Sequence, residues 1–263
     1  MPRVRIDSLL SERGIFASRS RAAASVLAGE VMLLPERRRA QKPGQMVPDD
    51  VELEVAAGPE FVSRGGVKLA NALNALPIEV TGRQALDIGA STGGFTDCLL
   101  QRGAAHVVAL DVAYGQLAWG LRSDPRVTVI ERVNARALRP GELPVVPDLI
   151  VVDVSFISAA KVLASVLACA AARFDALVLV KPQFEVGRAA VGKGGVVRDA
   201  ALRRGALVSV GEAAVGLGAG VLGYASSGLP GPKGNLETFV WLAEGSRDGA
   251  VADIEAAARE VEP

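Results

Sequence analysis

From residue 84 onward, short unbroken apolar runs alternate with longer stretches in which apolar residues recur at helical spacing. The runs predict strands at 84–88, 106–111, 127–131, 149–154, 176–180, 221–226 and 237–242. Successive rather than alternate positions are apolar, so both faces of each strand are expected to be buried. That is the pattern of a mainly parallel sheet covered by helices on both sides. The expected fold class is α/β, a Rossmann-like doubly wound domain with a seven-stranded sheet. An Ala-rich end predicts a surface helix over 248–262.

The first sixty residues have a different texture. Asp7 precedes Leu9 and Leu10 in a pattern stopped by Gly14, and Ser18 precedes the run 22–27 stopped by Gly29, which predicts two short capped helices. Strands are expected at 30–34 and 51–55, flanking a basic, Pro-containing turn region at 35–48. With the break at Ala57-Gly58-Pro59, the expected division is a small α+β unit with linker over 1–59, the sheet domain over 60–245, and a C-terminal helix over 246–263.

Composition sharpens this division. Lys and Arg balance Asp and Glu at 29 each, so total charge implies no partner. Residues 1–45, however, hold nine Lys or Arg against four acids, a local basic excess suited to nucleic acid. The charged N-terminus has no apolar signal core and no later run reaches membrane-spanning length, so a cytoplasmic protein with no membrane partner is expected. Cys98 and Cys169 stand far apart, away from metal or redox spacing, and are expected to be buried thiols. No Cys/His/carboxylate cluster has metal spacing, so no metal is expected. The single histidine, His106, opens a strand and reads as structural.

The segment Asp87-Ile88-Gly89-Ala90-Ser91-Thr92-Gly93-Gly94-Phe95 is a strand running into a glycine-rich turn that opens a helix. Ligands gather at such strand ends, where glycine admits close backbone approach and free N–H groups receive polar atoms. The spacing D-x-G-x-x-x-G-G is not the dinucleotide fingerprint, and an acid at the strand end suits the methionine ammonium of S-adenosylmethionine better than a pyrophosphate. The expected cofactor residues are Asp87, Gly89, Ser91, Gly93 and Gly94, with Asp111 ending the next strand as acceptor for ribose hydroxyls and Asn134 near the adenine. A glycine turn serving only strand-to-helix packing is the alternative. Four charged residues also stand in apolar contexts at or near expected strand ends: Lys68, Asp153, Lys181 and Glu237. Each taken alone reads as an ordinary edge charge; together they would meet at the cofactor cleft.

These four residues resemble the K-D-K-E tetrad of the FtsJ-like ribose 2′-O-methyltransferases. The strings Val62-Ser63-Arg64-Gly65-Gly66, Asp87 to Phe95, Tyr114-Gly115-Gln116-Leu117-Ala118-Trp119, Asp153-Val154-Ser155-Phe156-Ile157-Ser158 and Lys181-Pro182-Gln183-Phe184-Glu185-Val186-Gly187 resemble the TlyA family over nearly the whole chain. That family joins an S4 RNA-binding domain to an FtsJ-like methyltransferase. The resemblance implies S-adenosylmethionine as cofactor, and 2′-O-methylation of cytidine in bacterial ribosomal RNA or ribosomal subunits. Lys181 would assist deprotonation of the 2′-hydroxyl, with Lys68, Asp153 and Glu237 orienting it. Two segments depart from the family pattern: Leu34-Pro35-Glu36-Arg37 stands at the S4 turn, and Pro59-Glu60-Phe61-Val62 stands between the domains, where Phe61 takes the aromatic position.

Candidate RNA contacts are Arg3, Arg5, Arg19 and Arg21 in the basic first unit, and Arg64, Arg136 and Arg188 beside the cofactor and tetrad motifs. The glycine-rich stretches 186–196 and 227–235 read either as mobile lips that order on RNA or as plain loops. The competing functions are a methyltransferase of another RNA or a small molecule, for which a basic leading module has no use, and a non-catalytic RNA-binding or pore-forming protein. The last would require long apolar or amphipathic membrane segments, which the sequence lacks.

Overall fold

A computed structural model describes residues 2–56 and 59–262, and of Arg188 the backbone alone. The chain forms two compact units, Met1–Glu60 and Phe61–Pro263.

In the first unit the order is β1 (Arg3–Arg5), α1 (Ile6–Glu12), α2 (Arg19–Ala28), β2 (Val31–Leu33), β3 (Arg38–Arg39), β4 (Met46–Pro48) and β5 (Leu53–Val55). β1 pairs antiparallel with β4, and β2 pairs with both β3 and β5. Ile6, Leu10, Ala22, Val26, Val31 and Val47 form its core. The turn region expected at 35–48 thus contains two short strands. They were hidden because two or three residues are too few for a hydrophobic period. α2 starts and stops as its sequence dictates, with Ser18 Oγ accepting from Arg21 N at 3.3 Å and Gly29 left-handed at φ 76°. α1 does not: Arg5 is its N-cap, and Asp7 lies inside the first turn, buried. The Asp7 carboxylate accepts from Arg5 Nε at 3.0 Å and Nη2 at 2.8 Å, and from Arg19 Nε at 3.1 Å. The Arg5 guanidinium, with Arg19 adding to it, holds the Asp7 carboxyl far below the usual carboxylate range.

The second unit runs α3 (Arg64–Ala75), β6 (Gln84–Ile88), α4 (Gly94–Gln101), β7 (His106–Asp111), α5 (Trp119–Arg122), β8 (Val127–Glu131), β9 (Leu149–Val152), α6 (Ala160–Leu167), β10 (Asp175–Val180), α7 (Pro182–Glu185), α8 (Ala200–Gly216), β11 (Ala219–Ser226), β12 (Thr238–Glu244) and α9 (Ile254–Val261). Its sheet has the order β11-β12-β10-β9-β6-β7-β8. β10, β9, β6, β7 and β8 are parallel, and β12 runs antiparallel to both of its neighbours. The expected mainly parallel, seven-stranded sheet is therefore present. Its apolar runs supply both faces in alternation. Leu86, Ile88, Ile150 and Val178 belong to the layer under α6 and α8, while Ala85, Val107, Val151 and Leu177 belong to the layer that includes Leu69 and Leu73 of α3 and Leu99 of α4. Truncating one of these leucines or isoleucines to Ala removes about 2–5 kcal/mol.

Strand ends differ from expectation where chemistry begins. β9 stops at Val152, so Asp153 lies just beyond it, and β12 starts at Thr238, so Glu237 lies just before it. α9 is the expected surface helix, docked along one face: it contacts α8 and β11, fully buries Ala258, and is followed by Glu262, whose buried carboxylate pairs with Arg203. Its amphipathic pattern arises from that docking. His106 lies in β7 with Nε2 2.9 Å from Thr128 Oγ1, consistent with a structural role. Cys98 and Cys169 are buried.

Candidate active site

β6 leads on to β7 on one side and its other neighbour, β9, leads on to β10 on the opposite side, so the connections diverge between β6 and β9 and a crevice opens at the carboxyl ends of these strands. Gly89, the first residue after β6, has φ 83°, and a Cβ there would run into the carbonyl oxygen of Asp153. Asp153 N in turn donates to Ile88 O at 2.8 Å. The backbone after β6 and the backbone after β9 are thus in contact, which only glycine at 89 allows. A second close approach sets α3. A Cβ on Gly94 would strike Ser63 Oγ and lie 2.8 Å from Gly66 N, so the starts of α3 and α4 abut and fix the direction in which α3 carries Lys68.

Two spaces open at the crevice. One, of about 490 Å³, is lined by apolar Ile88, Leu110, Val133, Ala135 and Ile157 and by the polar groups of Asp111, Gln116 and Asn134. The Asp111 carboxylate is held by backbone donors, Ser91 N at 2.7 Å and Ala113 N at 2.7 Å. Asn134 Oδ1 accepts from Arg136 N at 3.0 Å, which caps the turn that follows β8. The other space, of about 700 Å³, is lined by Lys68, Asp153, Lys181 and Glu237 together, with Arg64, Gly94, Ser155, Phe156 and Phe184. Gly89, Ser91, Asp153, Ser155 and Phe156 border both spaces.

The four charged residues brought together here form two ion pairs. Lys68 Nζ donates to Glu237 Oε2, joining α3 to the start of β12, and both side chains are buried. Lys181 Nζ pairs with Asp153 Oδ1 and donates to Ser155 Oγ at 2.8 Å. Lys181 is placed by the turn from β10 into α7, where Pro182 at the first helical position cannot extend the strand. At the other end of α7, Glu185 accepts from Ser158 Oγ at 2.6 Å and Ala159 N at 2.7 Å, fixing the loop that carries Asp153, Ser155 and Phe156. Burial pushes the Glu185 carboxyl up from its ordinary value, against those two hydrogen bonds.

Of the expected cofactor residues, Gly89, Ser91, Asp111 and Asn134 line the smaller space and Gly94 the larger. Gly93 is the left-handed N-cap of α4, packed on Leu117 and Leu121. Asp87 lines neither space: it is fully buried, its Oδ2 accepts from Thr96 Oγ1 at 2.6 Å, and its Oδ1 has no hydrogen-bond partner among the described residues. Burial pushes the Asp87 carboxyl up to about 7; the Thr96 hydrogen bond opposes this, and the charge of Asp153 adds to it.

Among the expected RNA contacts, Arg64 lines the larger space and its Nη2 donates to Pro230 O at 2.6 Å. Arg136 is exposed beside Asn134, and the Arg188 side chain lies outside the described residues. In the first unit, Arg5 and Arg19 are engaged with Asp7, Arg3 Nη2 donates to Met46 O at 2.7 Å, and Arg21 is exposed. Sequence reasoning missed Ser155 as a partner of Lys181, Glu185 as an anchor, and an aromatic ledge. Phe156 is 92% exposed at φ 66°, with the Phe184 ring 5.5 Å away. A bulky side chain held left-handed in the open is strained without any gain in burial. Between β7 and β8, Tyr114 and Trp119 are also exposed, with Arg132 4.3 Å above the Tyr114 ring.

This sheet order, with β12 alone reversed and a crevice at the carboxyl ends of the parallel strands, is that of a Rossmann-like doubly wound fold. The FtsJ-like methyltransferase family model matches residues 61–244. A 16S/23S rRNA (cytidine-2′-O)-methyltransferase TlyA from Mycobacterium tuberculosis is 52% identical over 244 residues, covering 91% of this chain and 90% of that protein. Hemolysin A from Brachyspira hyodysenteriae is 38% identical, covering 89% and 97%. A solved structure of a protein from Streptococcus thermophilus, provisionally named a hemolysin, superposes with TM-score 0.73 at 36% identity, covering 99% of this chain and 96% of that one. The chain belongs to the FtsJ-like methyltransferases, and within them to the TlyA family. Among the described residues no helix is long and apolar enough to cross a membrane, and no three His, Cys, Asp or Glu side chains are grouped to hold a metal ion.

Proposed function

We propose that this protein transfers a methyl group from S-adenosylmethionine to the 2′-hydroxyl of a cytidine in ribosomal RNA, acting in the cytoplasm on rRNA or a ribosomal subunit. The observation that carries this reading is the cavity lined by both Lys68–Glu237 and Lys181–Asp153, which shares Gly89, Ser91 and Asp153 with the Asp111 slot. The slot fits the cofactor: an apolar bed for a purine, a backbone-anchored carboxylate at Asp111 for vicinal hydroxyls, and the close turn at Gly89 for the methionine portion. When bound, S-adenosylmethionine supplies an electrophilic methyl group. The choice of RNA and of cytidine is supported by the M. tuberculosis relative's name and by the basic first unit, which we assign as an S4-like RNA-binding domain.

The chain's own residues then divide the work. Lys181, held between Asp153 and Ser155, passes one proton to the partly exposed Asp153 carboxylate and takes up the hydroxyl proton as the oxygen attacks. Lys68, pinned by Glu237, orients the hydroxyl oxygen by donating to it. The Phe156–Phe184 ledge offers a face on which an unstacked base lies, which keeps the ribose still. The test is incubation of the protein and labelled S-adenosylmethionine with undermethylated ribosomal subunits, with 2′-O-methyl sites mapped by resistance to alkaline cleavage. A new site that disappears in Lys181→Ala supports the reading. Absence of incorporation into either subunit, despite cofactor binding, refutes it.

A further inference from the structure

The two glycine-rich stretches that rim the larger cavity are not loose. Asn235, 2% exposed, accepts at Oδ1 from Val197 N at 2.9 Å and donates from Nδ2 to Gly195 O at 2.8 Å, so one side chain ties the second loop to the first. Its own carbonyl accepts from Gly231 N at 2.8 Å. The second loop is further tied to α3: Asn71 Nδ2 donates to Ser227 O at 2.9 Å, and Arg64 Nη2 to Pro230 O. This built rim carries Lys233. The Lys233 side chain lines the cavity and crosses to the first loop, with Nζ 3.5 Å from where a Cβ on Gly195 would stand.

Lys233 differs from the other cations of the cavity. Lys68 and Lys181 are neutralised by Glu237 and Asp153, and Arg64 is occupied by the Pro230 carbonyl. Among the described residues, Lys233 has no hydrogen-bond or ion-pair partner. Resting on the reading above, the substrate brings its own charge: a ribose 2′-hydroxyl neighbours the carbon that bears the 3′-phosphodiester, so an anion enters the cavity with the reacting oxygen. The two lysine–carboxylate pairs cancel and cannot balance it. We propose that Lys233 holds the phosphodiester adjoining the target ribose, on a rim preformed by Asn235, and that it is a binding residue for substrate RNA. An ammonium suits this role as a flexible point charge on a phosphate, where a base edge would ask for a planar fork.

The test combines steady-state methylation of undermethylated subunits with filter binding of rRNA at salt from about 50 to about 200 mM. Lys233→Ala is expected to raise KM for RNA roughly fivefold, to lower the slope of log affinity against log salt by about 0.9, and to leave kcat and cofactor affinity in place. Lys233→Arg restores both parameters, and Lys233→Glu raises KM further. Unchanged KM and salt slope in Lys233→Ala and Lys233→Glu overturn the proposal. So does a fall in kcat at constant KM. A wild-type protein that binds rRNA yet methylates neither subunit refutes the methylation reading instead, and the salt slopes of the variants still decide the role of Lys233.

Discussion

The two lysine–carboxylate pairs of the cavity have the same charges but different surroundings. In the Lys68–Glu237 pair the side chains are 9% and 1% exposed; in the Lys181–Asp153 pair they are 11% and 23%. The first pair joins elements far apart in sequence and encloses its acid completely. The second lies at the ends of adjacent parallel strands, shares its lysine with Ser155, and leaves its acid open at the border of both spaces. A fully enclosed pair loses hydration on both partners and is costly to break, whereas an open one parts at lower cost because water reaches its acid. One pair therefore ties the site to the fold, and the other is the pair to which the proposed reading gives the proton transfer.

Lys181 provides the largest separation. Lys181→Ala is expected to lower kcat by about 10²–10⁴-fold while the melting temperature moves little, because Asp153 remains partly solvated. Lys181→Arg keeps the charge but cannot give up a proton in this pH range, so it is expected to be equally inactive. Recovery of most of the activity with arginine would reduce Lys181 to an electrostatic role.

Breaking the enclosed pair should show in stability as well as in rate. Lys68→Ala leaves Glu237 buried without its counter-charge, a loss of about 3–5 kcal/mol readable by denaturant titration. Glu237→Gln in the same chain is expected to return most of that stability without returning activity. A Lys68→Ala protein as stable as wild type would erase the distinction between the two pairs.

Asp153, Lys181 and Glu237 were legible in the sequence because strand ends are legible: an unbroken apolar run such as Leu177 to Val180 followed by Lys181 places the lysine at a sheet edge, whereas Lys68 lies within α3. What was not legible is contact between side chains distant in sequence. Nothing in the period of the chain tells that Lys181 meets Ser155, that Asn235 bridges two glycine loops, or that Glu185 holds the turn bearing Phe156. In the first unit the same limit misplaced Asp7. An acid before an apolar pair reads as a helix cap, but two arginines from different elements drew its carboxylate into the interior face of α1. The strand-plus-glycine motif also pointed to Asp87 as a cofactor contact, but could not tell that its side chain is fully buried inside β6 and lines neither space.

That buried acid is sensitive to the open pair, since the charge of Asp153 contributes to holding its carboxyl near 7. A folded-state value raised above the unfolded one means that the stabilising, protonated form is complete below about pH 4 and is lost as pH rises through about 7. Between those limits the change amounts to up to about 4 kcal/mol at roughly 1.4 kcal/mol per unit. Glu244, held down to about 2 chiefly by the Arg247 guanidinium, acts in the opposite sense and loses its contribution only in stronger acid. Stability measured from pH 8 to pH 5 should therefore rise in the wild type and stay flatter in Asp87→Asn. Equal slopes in the two proteins would mean that the buried carboxyl titrates as an ordinary one.

The smallest expected effect falls on the ledge beside the open pair. Phe156 is almost wholly exposed, so Phe156→Ala removes little from the core and is expected to leave the melting temperature unchanged or slightly raised through relief of the left-handed backbone. If a base stacks there, the same change costs about 1–3 kcal/mol of substrate binding. That loss should be concentrated in kcat/KM for RNA, and Phe156→Tyr should be close to wild type, since it keeps the ring face. A change in stability without a change in RNA kinetics would assign the strained phenylalanine to the fold and leave the open side of the cavity to its charges alone.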